Sequence, residues 1–353
     1  MEENDIVIIG CGGIGGVLGA TLHQAGVPLC IATPNEAVRR VWTESGPYLA
    51  GRRAGGPLPQ ERVKANVREF SQGFRFAFVA VQSDQIEAVA NDLCECLQES
   101  GRVIVLSNGM GEELMAPLIG EERVVGAVVG WGARMKEPGR YTRTSKGGFR
   151  LGKLSATQDA SILEITRLLS HVGPVALTEN LRGARFSKLT INCAVTALGT
   201  VGGATLGQLL VRTRPRQLAL NLMREATQVA AAEGVVMEPV TKIDLAKLAS
   251  GKHSALSLGL VKKHAFLLAV GARYRKLRSS MLSAIERGRE PAIDYINGEI
   301  VTRGKRRGVP TPYNAAATQV IWEIYHGALA PGPQALRRVN ELARRAQLAG
   351  PGS

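Results

Sequence analysis

Six residues near the N-terminus, Gly10-Cys11-Gly12-Gly13-Ile14-Gly15, give a G-x-G-x-x-G spacing between an apolar run, DIVIIG, and a helical pattern. This spacing suits the pyrophosphate of a dinucleotide. Gly10 permits a tight turn, Gly12 lets the backbone come close to the phosphates, and Gly15 lets the next helix pack near a sheet. Unpaired N–H groups and the dipole at that helix start then attract the anion. Glycine is frequent, with 41 in the chain, so the pattern gains weight from the strand before it and the helix after it.

The end of the second apolar run bears on which nicotinamide cofactor is bound. An NAD site usually places Asp or Glu there, on both ribose hydroxyls. Here the run ends Ile31-Ala32-Thr33-Pro34-Asn35, and Arg39 and Arg40 follow within two helical turns, where a guanidinium can pair with a 2′-phosphate. The reading is NADP(H). Glu36 keeps NAD open, and ordinary helix surface is the alternative for both arginines. Asn108 follows the run RVIVL, at the edge where open α/β sheets bind ligands. Its amide can donate and accept toward a ribose or a substrate, and an Asn-Gly turn fits equally well.

Such residues need a sheet behind them. DIVIIG, PLCIAT, FRFAFVAVQ (74–82) and runs near 102–107 and 123–129 read as strands, with helices from Ile14 to Ala25 and from Asp84 to about Leu97. Strands alternating with helices predict a parallel sheet at least five strands wide. From about Ala156 the pattern turns helical, as in ILEITRLLSHV, LMREATQVAAAEG and AIDYINGEIVTRG. The expected class is α/β: an N-terminal Rossmann-type parallel sheet domain followed by a mainly α-helical domain. The expected bounds are 1–180 for NADP binding, 181–330 for substrate and dimerisation, and 331–353 for a basic helix and a tail, GPGS, that frays.

Composition narrows the partners. At 353 residues two domains are the default, and 45% apolar with 21% charged residues is ordinary for a globular chain. The 44 Lys and Arg against 30 Asp and Glu favour an anionic partner. Basic residues gather in Arg134–Lys153, in Lys262–Arg278 and in Arg303-Gly304-Lys305-Arg306-Arg307, each of which can be plain solvated surface. With 5% aromatic residues and no binding module, nucleic acid is disfavoured. Five cysteines without a C-x-x-C pair predict reduced, mostly buried thiols in the cytoplasm and no metal site. No secretory signal is recognised, since acidic residues precede the first strand. The stretch Cys193–Val211 has nearly the length of a membrane span, but its Thr, Gln and Gly-Gly predict a buried helix, a turn and a helix instead.

Further motifs follow in order: LSNGMG at 106–111, SKLTINCAVTALGTVGG at 187–203, RSSML at 278–282 and IDYINGEIV at 293–301. With the glycine fingerprint they resemble the ketopantoate reductase family over roughly residues 4–325. The resemblance implies a Rossmann domain and a helical domain with the active site in their cleft. It further implies NADPH-dependent reduction of a small 2-oxo acid, a place in pantothenate biosynthesis, and a homodimer in the cytoplasm with no membrane partner. Related hydroxy-acid dehydrogenases and a non-catalytic NADP(H) sensor are the alternatives.

The resemblance also assigns roles. Lys188 occupies the catalytic lysine position, and Asn192 follows at i+4, on the same face if both lie on one helix. An ammonium there can protonate a developing alkoxide. Asn108 matches a cofactor and substrate contact, Ser280 a carboxylate contact with an N-cap as its alternative, and Asp294 and Asn297 supporting groups. Three positions depart from the family: Ala292 stands where its catalytic glutamate precedes the last motif, Thr196 replaces an asparagine on the substrate side, and Gln82 replaces a cofactor-side lysine. Glu290 lies two residues from Ala292 across a proline, and the segment 249–278 is longer than the family's usual one.

Overall fold

The computed structural model describes residues 5–71, 73–155, 159–240, 244–245 and 258–349. The acidic residues at 2–3, Ala156, residues 249–257 of the long segment and the terminal GPGS lie outside the described residues. The chain divides into two compact units, Met1–Leu181 and Arg182–Ser353.

The first unit holds, in chain order, β1 (Ile6–Ile9), α1 (Gly13–Gln24), β2 (Cys30–Ala32), α2 (Glu36–Glu44), β3 (Tyr48–Leu49), β4 (Arg52–Arg53), β5 (Val63–Lys64) and β6 (Phe74–Val79). It continues with α3 (Ile86–Cys96), β7 (Leu97–Val105), α4 (Gly111–Ile119), β8 (Val124–Val129), β9 (Ala133–Glu137), β10 (Arg140–Arg143), β11 (Phe149–Lys153), α5 (Ala160–Ser170) and β12 (Val175–Leu177). The main sheet has eight strands in the order β12-β11-β8-β7-β6-β1-β2-β5. From β8 to β5 all neighbours pair in parallel, and β11 turns antiparallel to β8. Alternation sorts each strand between two cores. Ile6, Ile8, Phe76 and Phe78 join Val17 and Leu18 of α1 and Ile162 and Ile165 of α5. Val7, Ile9, Ala77 and Val79 join Ile86 and Ala90 of α3 and Met115 of α4. Helices therefore cover both faces, which is why these strands read as unbroken apolar runs.

Two features depart from the expected pattern. β7 starts at Leu97, not near 102, because Leu97 pairs with Phe74 before the register slips to Arg102 against Phe76. Its first residues, Gln98-Glu99-Ser100-Gly101, carry no strand signal. The second is a four-stranded sheet, β4-β3-β10-β9. Its strands of two to five residues are too short for periodicity to reveal. Tyr141 of β10 is 1% exposed and accepts a hydrogen bond at its hydroxyl from Trp42 Nε1 at 3.1 Å. Two residues of the basic stretch 134–153 have defined partners: exposed Arg140 of β10 stacks on the Tyr48 ring at 4.1 Å, and buried Lys153 of β11, in the main sheet, pairs with Asp159 at 2.9 Å.

The second unit is helical: α6 (Leu181–Gly202), α7 (Leu206–Leu210), α8 (Thr213–Ala232), α9 (Leu258–Arg273), α10 (Ser280–Ile285), α11 (Asn297–Arg307), α12 (Pro312–Tyr325) and α13 (Pro333–Ala349). Gly203 at φ +65° ends α6, and a Thr205–Gln208 capping box starts α7, giving the helix, turn and helix expected of that apolar stretch. Among the described residues no helix is long and apolar enough to cross a membrane. The helix of the C-terminal segment is no loose tail, since Ala335, Val339 and Ala343, spaced at i, i+4 and i+8, are fully buried. Arg303 of the basic run is also buried, paired with Glu233 at 2.8 Å and Glu299 at 2.6 Å, while Lys305, Arg306 and Arg307 are exposed.

Candidate functional site

The strand order places the topological switch point between β1 and β6: the chain runs outward from β1 to β2 and β5, then returns to β6 on the other side. The glycine turn, Gln82, Asn108 and Arg39 follow the carboxyl ends of β1, β6, β7 and β2, four neighbouring strands of the sheet. Gly10 has φ +88°, and a Cβ there would lie 2.9 Å from Val81 Cγ1. At Gly15 a Cβ would lie 2.0 Å from the Gly10 carbonyl oxygen, so α1 sits directly on the turn. Gly13 is hemmed in by the Ala133 carbonyl, at 2.8 Å from its would-be Cβ. Gly12 is different: it is exposed, and a Cβ would meet nothing within 4 Å.

Gly12 is also the N-cap of α1, and no side chain caps that end. The first N–H groups of the helix are thus left for an anion, and the turn fits a pyrophosphate. Ile14 is half-buried. Cys11 contributes backbone only, since its side chain is 2% exposed and burial pushes its thiol up to about 12. All five cysteines are free thiols, four of them buried and Cys94 exposed.

The two arginines differ in placement. Arg39 is half-buried, and its Nη1 donates to the Thr33 carbonyl at 2.8 Å, which pins the guanidinium at the end of β2. Arg40 is exposed and pairs with Glu44 at 3.1 Å. Gln82 and Asn108 are both exposed, and Gly109 after Asn108 has φ +77°. Asn108 thus sits in an Asn-Gly turn just past the carboxyl end of β7. The buried Ser83 Oγ donates to the Asn108 carbonyl at 2.9 Å and ties the β6 and β7 ends together. Sequence reading missed Ser83, for a lone Ser has no signature. It also missed Gly16, where a Cβ would lie 2.0 Å from the Tyr141 ring. The Gly15-Gly16 doublet was its signal: Gly15 faces the turn and Gly16 faces the small sheet.

In the helical unit, α6 carries Lys188, Asn192 and Thr196. From Gly183 to Gly202 only five positions of this helix escape full burial: Lys188, Ile191, Asn192, Val195 and Thr196. They fall at i, i+3, i+4, i+7 and i+8, a single face. Ser280 is the exposed first residue of α10, and it is not the N-cap. That role belongs to the buried Ser279, whose Oγ accepts from Leu282 N at 3.3 Å. Ser279 Oγ also donates to the Thr196 carbonyl at 3.1 Å and lies 2.8 Å from Thr200 Oγ1, which anchors the start of α10 beside the C-terminal half of the α6 face. Glu290 is exposed and Ala292 half-buried.

Behind that face lies a buried polar chain that sequence reading saw only in part. Asn297 Nδ2 donates to the Cys193 carbonyl at 3.2 Å and to Asn314 Oδ1 at 2.8 Å. Asn314 Nδ2 donates to Glu225 at 2.7 Å, and Glu225 accepts the backbone N–H groups of Tyr313 and Asn314, each at 2.9 Å. A carboxylate of α8 thereby caps α12, where Thr311 offers no side-chain cap. The exposed Asp294 accepts from Trp322 Nε1 at 3.1 Å.

Burial pushes the Glu225 carboxyl up to about 7 from an ordinary 4.5, against the three donors that favour its charged form. Below pH 4.5 folded and unfolded chains both hold this proton, so the group costs nothing. Stability then falls as pH climbs from 4.5 to about 7, and a cost on the order of 3 kcal/mol persists above that. Denaturant unfolding of Glu225→Gln should start from lower stability, because its amide N–H faces other donors. It should also lose less between pH 5 and pH 8 than the native chain (roughly the span of this titration). Equal losses in the two proteins would refute the assignment.

Known proteins with this arrangement identify the family. The family model described as ketopantoate reductase PanE/ApbA matches residues 6–156, and its C-terminal counterpart matches residues 180–324. The 2-dehydropantoate 2-reductase of Archaeoglobus fulgidus is 23% identical over 329 residues, 93% of this chain and 100% of the relative. Among solved structures, a PanE/ApbA family ketopantoate reductase from Ralstonia eutropha JMP134 superposes with a TM-score of 0.76 at 21% identity, covering 91% of this chain and 98% of that one. A dimeric ketopantoate reductase from Staphylococcus aureus gives 0.69 at 18% identity, covering 91% and 99%. With both halves of the chain matched, and with a fold and a glycine turn to accord, this protein belongs to the ketopantoate reductase family.

Proposed function

We propose that the protein reduces a small 2-oxo acid to the 2-hydroxy acid with NADPH, as ketopantoate reductases do. The observation that carries this reading is the α6 face, where Lys188 and Asn192 are held half-buried one helical turn apart in a chain with an open pyrophosphate turn. When bound, NADPH supplies the hydride for the carbonyl carbon. Lys188 stabilises the charge that develops on the carbonyl oxygen, then releases a proton from Nζ to it and is reprotonated from solvent. Asn192 orients the same oxygen through its amide. Asn108 and Gln82 hold the nicotinamide ribose side, and Thr196 and Ser280 serve the substrate side, with Ser280 toward the carboxylate. The backbone of Gly10–Gly15 holds the pyrophosphate.

Consumption of NADPH on addition of 2-oxo acids, followed at the nicotinamide absorbance, tests the reading. NADPH binding without oxidation by any 2-oxo acid would instead favour a sensor. The cofactor preference has its own test. Arg39 is fixed beside the end of β2, so Arg39→Ala should cut the kcat/KM preference for NADPH over NADH by about tenfold or more, a charge-assisted contact's worth. Arg40→Ala should change it far less, since Arg40 already has Glu44. Equal effects of the two variants would sink the distinction. The protein is read as a cytoplasmic homodimer; free, mostly buried thiols and the dimeric Staphylococcus aureus neighbour support that reading. Light scattering at micromolar concentration should give twice the 37.6 kDa chain mass.

A further inference from the structure

Resting on that reading, we propose that the substrate is a 2-oxo acid with a branched, apolar side chain lacking a hydroxyl, selected by Ile191, Val195 and Thr196. The five half-buried positions of α6 between Gly183 and Gly202 differ in chemistry along the helix. Lys188 and Asn192 supply an ammonium and an amide, enough for the carbonyl oxygen. The rest of the face is Ile191 and Val195, both branched aliphatics, and Thr196. No carboxylate occurs among these five positions, and α6 has no acidic residue at all.

The Thr196 hydroxyl is the one further polar side-chain group on this face. Its neighbourhood is fixed by Ser279, which bonds the Thr196 carbonyl and the Thr200 hydroxyl and brings the start of α10, with exposed Ser280, alongside. Ser280 can take a carboxylate there. Behind this face, Cys193 Sγ lies 3.6 Å from the Ile296 carbonyl and Asn297 donates to the Cys193 carbonyl, so the turn 292–296 is fastened to the buried side of α6. That turn carries half-buried Ala292 and Tyr295 and the exposed Asp294, which accepts from Trp322, while Ile293 and Ile296 are buried. Beside Lys188 and Asn192 the α6 face itself thus adds two branched aliphatic side chains and one threonine. A substrate hydroxyl placed against Ile191 and Val195 loses water and gains no partner from them, whereas a methyl group loses nothing.

Two substrates that differ only in this group test the inference: ketopantoate, which is 4-hydroxy-3,3-dimethyl-2-oxobutanoate, and 3,3-dimethyl-2-oxobutanoate. With NADPH and the full-length protein, kcat/KM for the unhydroxylated acid should exceed that for ketopantoate by about tenfold or more, within what a missing hydrogen bond can discriminate. Thr196→Asn, which adds a donor and an acceptor, should narrow that ratio by roughly threefold or more through the KM for ketopantoate. Ile191→Ala should lower kcat/KM for the unhydroxylated acid without moving the KM for NADPH. Equal rates or a preference for ketopantoate in the unmodified protein overturn the inference and leave the oxidoreductase reading intact. Failure of both acids while another 2-oxo acid oxidises NADPH overturns the inference alone, and failure of every 2-oxo acid overturns both.

Discussion

Lys188→Ala should lower kcat by about a hundredfold to ten-thousandfold, the range lost when a positioned proton donor is removed. NADPH affinity, read by nucleotide fluorescence, should stay within about twofold, because the substitution leaves untouched the Gly10–Gly15 backbone proposed to hold the phosphates. Thermal stability should hardly change, since Lys188 lies on a half-buried face and not in the packed side of α6. Lys188→Arg separates charge from proton transfer. It keeps the cation but holds its proton too firmly to donate, so it should recover little of the rate. Parallel loss of cofactor binding and turnover in Lys188→Ala would show the lysine to be structural.

The second large effect comes from two glycines three residues apart whose alanine variants should fail in opposite ways. At Gly15 a methyl group would be driven to 2.0 Å from the Gly10 carbonyl oxygen, a backbone atom that cannot swing aside. Gly15→Ala should therefore destabilise the unit by about 1–3 kcal/mol or more, and NADPH binding should fall with the distorted turn. At Gly12 the same methyl group meets nothing in the protein and should leave the melting temperature nearly unchanged. It would occupy the space through which the pyrophosphate approaches, at a cost of at least about 1.4 kcal/mol, or tenfold in Kd. A Gly12→Ala protein that binds NADPH normally would exclude this turn as the phosphate site.

Much of the first unit could be read directly. Both faces of its sheet are covered, so Ile6–Ile9 and Phe74–Val79 are continuous apolar runs, and a glycine turn between strand and helix has few other uses. The small sheet could not be read, because Tyr48–Leu49 and Arg52–Arg53 are pairs whose strand character exists only through their partners on β10 and across the turn. The same holds for the serines: RSSML leaves open which serine caps the helix, and the bond from Leu282 N to Ser279 Oγ settles it in favour of Ser279, which Thr196 and Thr200 hold in place.

Local matters were legible along the chain: the parallel strands, the tight glycine turn at Gly10–Gly15, and the i, i+4 spacing that puts Lys188 and Asn192 on one face. Each depends on backbone geometry within a few residues, which residue type and spacing control directly. Only the tertiary structure decided which of the two arginines is held at the end of β2, why Gly16 must be glycine, and how Asn297, Asn314 and Glu225 are linked behind Cys193. Several of those outcomes depend on partners more than a hundred residues away, as Gly16 on Tyr141 and Asn297 on Cys193. A buried polar group is specified by whatever satisfies it in space, and spacing along the chain carries no record of that.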